Sequence, residues 1–279
     1  MTMKFTKMHG IGNDYIYFNG FDTAIDDPAA LSVRLSDRHR SVGGDGIVLI
    51  LPSDCADFRM RMFNADGSEG KMCGNASRCI GKYVYEKGLT AKTTVTLETL
   101  SGIKTLHLHV TDGIVTSVAV DMGCADFNAD AVPVSFNTDE VIERSFTVAE
   151  TEWRITCLSV GNPHCVTFCD EVAALDLAKI GPTFEHAPIF PERVNTEFVR
   201  CVDRTTLEMR VWERGSGETM ACGTGACASA AAAVKTGRCP ANEPITVRLL
   251  GGELRITVSD DFSILMEGPA EFAFEGEVD

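Results

Sequence analysis

No run of the sequence approaches eighteen consecutive apolar residues, and no basic segment leading into an apolar one stands at its start. Neither a membrane-spanning helix nor a secretory leader is therefore expected. Positive charge is scarce: 25 Lys and Arg stand against 40 Asp and Glu, a formal net charge of −15. That balance disfavours nucleic acid and anionic membrane surfaces as partners. A Cys-x-x-Cys pair is absent, and the eleven cysteines are odd in number without the pattern of a small disulfide scaffold. A reducing cytoplasm is the expected location, and no metal site is expected. Gly43-Gly44-Asp45-Gly46 lacks the Gly-Lys-Ser/Thr continuation of a phosphate cradle and reads as a turn. What the chain does have is 279 residues and 44% hydrophobic content, enough for two domains with their own cores.

Met72-Cys73-Gly74-Asn75 returns as Ala221-Cys222-Gly223-Thr224, and a shift of 149 positions brings the surrounding sequence into agreement. Gly12-Asn13 meets Gly161-Asn162, Met60-Arg61 meets Met209-Arg210, Phe63 meets Trp212, Glu69 meets Glu218 and Gly88 meets Gly237. One further residue of slip aligns Val95 to Leu97 with Ile245 to Val247. The period is too long and the copies too few for a solenoid, so two similar domains are expected. Their bounds are set at 1–123, carrying Cys73, and 124–279, carrying Cys222, with the last strand allowed to return to the first domain. Each cysteine precedes a helical stretch that ends at a glycine, Asn75 to Glu86 and Thr224 to Lys235. A helix N-terminus there would stabilise a thiolate and bind a carboxylate through its free N–H groups.

Taken in order, Lys4 to Met8 and Tyr15 to Phe18 read as strands around a Gly10-to-Asp14 turn, and Pro28 to Arg38 reads as a helix. Ile47 to Leu51 reads as a buried strand and Arg59 to Phe63 as an alternating one, followed by Thr93 to Leu100, Lys104 to Val110 and Ile114 to Val120. A hinge is expected near Gly123 to Asn128. Beyond it, Phe146 to Ala149, Arg154 to Leu158, Cys165 to Phe168, Val194 to Cys201 and Thr206 to Trp212 read as strands, and Ala173 to Ile180 as a short helix. The second cysteine helix is apolar on every side until Lys235, the signature of a buried helix. The fold class is therefore α/β in the α+β sense: two pseudo-symmetric domains, each a curled, mostly antiparallel sheet around a central helix.

Phe5-Thr6-Lys7-Met8-His9-Gly10-Ile11-Gly12-Asn13-Asp14, Phe63-Asn64-Ala65-Asp66-Gly67-Ser68-Glu69 with Met72-Cys73-Gly74-Asn75, Gly161-Asn162-Pro163-His164, and Trp212-Glu213-Arg214-Gly215 through Ala221-Cys222-Gly223-Thr224-Gly225 resemble the diaminopimelate epimerase family, over nearly the whole chain and in the same order. The resemblance implies a cofactor-independent epimerase that interconverts LL- and meso-2,6-diaminopimelate on the way to lysine and peptidoglycan, and it implies a homodimer. It further implies that Arg214 binds the distal carboxylate, that Asn13, Asn64, Asn162 and Asn195 surround the substrate with Glu213 near an ammonium, and that His164 and Glu213 tune the cysteines. Two positions depart from the family pattern. Gly46 stands where some members carry an amide, so no role is carried over there, and Ala76 stands where Gly is common.

The chemistry is consistent in itself. Inverting an α-carbon needs a base on one face and an acid on the other, and a thiolate and thiol at Cys73 and Cys222 could exchange those roles. Backbone N–H groups of Gly74-Asn75 and Gly223-Thr224 would hold the α-carboxylate and its developing charge. Three alternatives stand beside this. A proline racemase or hydroxyproline epimerase would share the two-cysteine logic without a use for Arg214. A pyridoxal-phosphate racemase would need a Schiff-base lysine and a phosphate cradle. A metal or thiol-redox module would draw on His164, Cys165 and Cys169.

Overall fold

The computed structural model describes every residue except Met1 and Ala149. The chain divides into two compact units, Met1–Asp121 with Glu267–Asp279, and Met122–Met266.

The first unit begins with a hairpin of β1 (Met3–Gly10) and β2 (Asn13–Asn19). It turns at Ile11 and Gly12 with φ of 51° and 87°, the two positive values that a primed turn requires. The turn is therefore only two residues long, and Asn13 and Asp14 open β2 instead of lying in the loop. Helix α1 (Pro28–Ser36) starts where Asp27 accepts a hydrogen bond from Ala30 N, with proline in its first turn, and it stops two residues before the predicted Arg38. β3 (Gly46–Leu51) runs parallel to β2 and antiparallel to β4 (Phe58–Asn64). The short β5 (Glu69–Gly70) folds back on β4 and leads into α2 (Gly74–Glu86). β6 (Thr94–Thr99) then pairs parallel with β4, and β7 (Gly102–Thr111) and β8 (Ile114–Cys124) continue antiparallel. The chain's last strand, Glu271–Val278, completes the unit beside β1. Helix α2 packs on β1 and β7, with Ala76, Cys79, Ile80 and Val84 fully buried.

The second unit has the same plan. β9 (Arg144–Val148), β10 (Thr151–Ser159) and β11 (Pro163–Phe168) are antiparallel neighbours, and α3 (Leu177–Glu185) follows. β12 (Asn195–Asp203) is parallel to β11, β13 (Thr206–Glu213) antiparallel to β12, and β14 (Gly217–Glu218) folds back before α4 (Gly223–Lys235). β15 (Pro244–Leu249) is parallel to β13 and antiparallel to β16 (Gly252–Val258), and β17 (Ser263–Gly268) comes last. Helices α1 and α3 begin 149 positions apart, and so do α2 and α4. Around α4, strands β10 to β13, β15 and β16 all make contact, which its fully buried alanines permit by keeping the helix thin.

Two expectations are corrected here. The helix predicted over Ala173–Ile180 is a single 3-10 turn, Val172–Ala174, and α3 starts only after Asp176, whose side chain accepts from Lys179 N. It then runs through Pro182 to Glu185, because tertiary packing outweighs the lost backbone bond. Gly181 lies so close to Trp212 that a Cβ there would sit 2.2 Å from the ring, and Phe184 stacks edge-on against Trp153 and Phe198. The strand predicted over Phe146–Ala149 occupies Arg144–Val148, and Ala149 lies outside the described residues. No described helix is long and apolar enough to cross a membrane.

Candidate functional site

Each cysteine caps its helix. Cys73 has an extended backbone and its Sγ accepts from Ala76 N at 3.5 Å, while Cys222 accepts from Gly225 N at 3.3 Å. The sulfur thus takes the place that a Ser or Asp oxygen takes at an ordinary N-cap. Intrahelical bonding begins with Ser77 N to Cys73 O and Ala226 N to Cys222 O, so helix geometry leaves the N–H groups of Gly74, Asn75, Gly223 and Thr224 without an intrahelical acceptor. The segment entering each cysteine is pinned in the same way in both units. Arg61 holds Glu69 through two bonds of 2.7 and 3.0 Å, and Arg210 holds Glu218 through two bonds of the same lengths.

In the first unit the structure brings Asn13 and Asn75 to Cys73. The Cys73 thiol donates to Asn13 Oδ1 at 3.4 Å, and Asn75 Nδ2 donates to the same oxygen at 3.2 Å. The orientation of that amide is fixed from behind, since Asn13 Nδ2 donates to Asp45 Oδ2 at 2.7 Å. Asp45 in turn pairs with Arg38, which also holds Asp14 at 2.6 Å, and Lys7 pairs with Asp14 at 2.6 Å. Burial would raise the Asp14 carboxyl, but hydrogen bonds from Arg38 and Lys7 bring it below its ordinary value. Burial lowers Lys7, against the pull of Asp14. Asn64 ends β4, where its Nδ2 donates to Ser68 Oγ at 3.0 Å and its register partner is Gly46. With φ of +153°, Gly46 has no room for a side chain: a Cβ would lie 1.9 Å from Phe63 O.

In the second unit the residues around Cys222 form one chain of hydrogen bonds. Its Sγ lies 3.6 Å from Thr224 Oγ1, Asn162 Nδ2 donates to Thr224 Oγ1 at 3.3 Å, and Asn162 Oδ1 meets His164 Nε2 at 3.0 Å. His164 Nδ1 lies 2.7 Å from Glu197 Oε1, with both side chains fully buried. The partner of His164 is thus Glu197, while the Glu213 carboxylate accepts from Thr219 Oγ1. Asn195 Nδ2 donates to Pro163 O and its Oδ1 accepts from Arg214 N at 2.9 Å. The exposed Arg214 guanidinium donates to Glu192 O at 3.0 Å.

Electrostatics at Cys222 oppose the simple helix-terminus expectation. Burial, then the negative charges of Glu213 and Glu197, push its thiol well above the ordinary range, outweighing the bonds from Thr224 and Gly225 N. Burial likewise raises Glu213, with Glu197 adding to it. Cys165, a candidate for thiol chemistry in the sequence, packs in the core opposite Cys157, and burial raises its thiol too.

Asp45 and Glu197 were missed by motif reasoning. A signal for Glu197 was present: the 149-residue shift places it on Val48, inside a strand that the sequence already marks as buried.

The comparisons agree with this architecture. The family model described as diaminopimelate epimerase matches residues 5–128 and 156–273. The diaminopimelate epimerase of Acetivibrio thermocellus is 52% identical over 280 residues, covering 99% of both chains. That of Methanococcus maripaludis is 51% identical over 278 residues, covering 99% of this chain and all of the other. Among solved structures, a Bacillus anthracis phenazine biosynthesis protein of the PhzF family superposes with a TM-score of 0.74 at 18% identity, covering 100% and 99% of the two chains. A hydroxyproline epimerase from Agrobacterium vitis superposes with a TM-score of 0.72 at 17% identity, covering 99% and 92%; at such identities the likeness concerns the fold. The extent and identity of the sequence matches place the chain in the diaminopimelate epimerase family, as an isomerase.

Proposed function

We propose that the protein interconverts LL- and meso-2,6-diaminopimelate without a cofactor, using Cys73 and Cys222 as the two proton-transfer groups. The observation that carries the proposal is the pair of thiols at the N-caps of equivalent helices, within a sequence match that spans the chain. In one direction a thiolate removes the α-proton, the C–H electron pair moves into the carboxylate as an enediolate-like anion, and the other thiol returns a proton to the opposite face. The sulfurs finish with their protonation states exchanged, so the reverse reaction begins from the product form. Developing charge on the carboxylate is met by the N–H groups at Gly74, Asn75, Gly223 and Thr224 and by the positive ends of the two helices.

With its thiol raised, Cys222 suits the resting role of proton donor, which gives Cys73 the first abstraction once the proton it donates to Asn13 Oδ1 has been lost to solvent. A substrate ammonium beside Glu213 would offset the negative charge there and ease ionisation of Cys222 in the reverse direction. Asn13, Asn64, Asn75, Asn162 and Asn195 supply amide contacts to the substrate. Arg214, already exposed, turns its guanidinium to the distal carboxylate, a charge that proline lacks. A cytoplasmic homodimer serving lysine and peptidoglycan precursor synthesis completes the proposal.

The test is exchange in deuterated buffer with LL-diaminopimelate and, separately, proline. Deuterium at the α-carbon of diaminopimelate, with meso product and none in proline, is expected. Label in proline alone would overturn the substrate assignment.

A further inference from the structure

The polarity of Asn162 is set by a device that the first unit lacks. Its Oδ1 can only accept, so the His164 Nε2 at 3.0 Å must carry a proton. The other ring nitrogen, Nδ1, faces Glu197 Oε1 at 2.7 Å. One proton therefore lies between Nδ1 and the carboxyl, whether written as carboxylic acid and imidazole or as carboxylate and imidazolium, and Nε2–H is directed at Asn162 in both forms. Glu197 Oε2 is buried with no hydrogen-bond partner among the described residues, so a second proton-poor form, carboxylate beside neutral imidazole, would leave charge in a buried site. Burial raises the Glu197 carboxyl, against the influence of His164. The titratable groups facing the pair are Glu213 on β13, Cys165 on β11 and Cys222 at the α4 cap.

The equivalent places in the first unit show that the arrangement is specific. Tyr15 and Val48 stand 149 positions before His164 and Glu197, and there Asn13 is held by Asp45 instead. The two asparagines consequently present opposite ends: Asn13 offers its oxygen to the Cys73 thiol, and Asn162 offers its NH₂ to Thr224. Gly225 makes space for the carboxyl, because a Cβ there would lie 2.8 Å from Glu197 Oε1, where the first unit has Ala76.

We propose that Glu197 is a positioning residue of the site: through His164 it fixes Asn162 with its NH₂ toward Thr224 and substrate. Asn162 as a substrate contact rests on the proposed function. In Glu197→Gln the side-chain amide donates to Nδ1, Nε2–H stays in place, and kcat/KM stays within about fivefold of the parent, the scale of one altered hydrogen bond. Glu197→Met fills a similar volume but leaves Nδ1 without a partner. Its kcat/KM should fall about 10²-fold, the scale of a positioning fault, with a raised KM for diaminopimelate and an unchanged far-ultraviolet circular dichroism spectrum. The imidazole ¹⁵N spectrum should show a protonated Nε2 at His164 in the parent and in Glu197→Gln. An unprotonated Nε2 in the parent, undiminished activity in Glu197→Met, or equal damage in both variants would overturn the proposal. The nitrogen spectrum needs no substrate, so a failed exchange experiment with an intact Nε2–H would remove the substrate assignment and leave the positioning of Asn162 standing.

Discussion

The two units share strand order, helix positions and a cysteine at each cap, yet they surround those cysteines with different chemistry. Behind Asn13 stands an ionic network that runs from the buried Lys7 through Asp14 to Asp45 and Arg38, with Arg38 more than half exposed. Behind Asn162 stands a fully buried His164–Glu197 pair, and Glu213 lies near Cys222. A duplicated backbone gives two equivalent placements for a sulfur. It does not by itself fix a proton affinity, which depends on burial and on the charges nearby. The difference gives the two thiols distinct surroundings on a shared scaffold.

The strongest way to break the comparison is to remove one sulfur at a time. Cys73→Ala and Cys222→Ala should each lower kcat by about 10²–10⁴-fold, since each deletes one acid or base. Far-ultraviolet circular dichroism should stay unchanged. Activity above a few per cent of the parent in either variant would mean that its thiol is dispensable.

Next in size is thiol reactivity. Cys222 is buried and Cys73 partly accessible, and the Cys222 thiol is raised by burial first and acidic neighbours second. Iodoacetamide should therefore alkylate Cys73 faster than Cys222 at about pH 7.5, because burial both shields the Cys222 sulfur and keeps it protonated. Glu213→Gln removes the neighbouring carboxylate with the larger effect on Cys222 and should move the Cys222 alkylation profile to lower pH. The same raised pKa has a stability consequence. Above the unfolded thiol value of about 8.5, the unfolded chain loses a proton that folded Cys222 keeps, so this residue's contribution falls as pH rises through that region. Cys222→Ser should flatten the alkaline decline in melting temperature.

A smaller effect separates the helix starts. Gly225→Ala places a methyl against Glu197 and should cost about 1–3 kcal/mol, as overpacked sites do. Ala76→Gly, at the matching position, removes a buried methyl and adds backbone freedom in a helix, for about 1 kcal/mol. Urea titrations of both variants compare the two directly.

Much of this organisation was legible in the sequence because it is written in local chemistry. Ile11-Gly12 and the glycines after α2 and α4 mark backbone that must turn, and the alanines of α4 mark a helix with strands on all sides. The 149-residue shift carried the plan of one unit to the other. Harder to read were features decided by three-dimensional surroundings. Glu197 looks like an ordinary outward carboxylate in a strand until β12 is seen buried on both faces at its start. Asp45 lies in a glycine turn, and only the fold brings it to Asn13, 32 positions away. The extent of α3 depends on Trp212 and Phe198 against Gly181 and Phe184, which no local propensity records. Helix-terminus reasoning placed Cys222 correctly at a cap but could not weigh its burial against one N–H bond.

The smallest predicted effect concerns the helices that lie away from the cysteines. Asp27 and Asp176 stand 149 positions apart and cap α1 and α3 in the same way, with Ala30 N donating to one at 3.0 Å and Lys179 N donating to the other at 3.3 Å. Unlike the cysteine surroundings, these caps are alike in their side-chain bond, and among the described residues no ion pair of either aspartate distinguishes their role. Asp27→Ala and Asp176→Ala should therefore cost similar amounts, about 1 kcal/mol each, by leaving a helix N–H without its side-chain acceptor. Native-state hydrogen exchange can assign each loss to its own unit, because amides protected by α1 and by α3 report separately. Equal losses with unchanged kcat would show that the units diverge around the cysteines while keeping the same structural device elsewhere. A loss at Asp176 several times larger would show that the helix running through Pro182 depends on its cap more than α1 does, which would place part of the asymmetry in the scaffold itself.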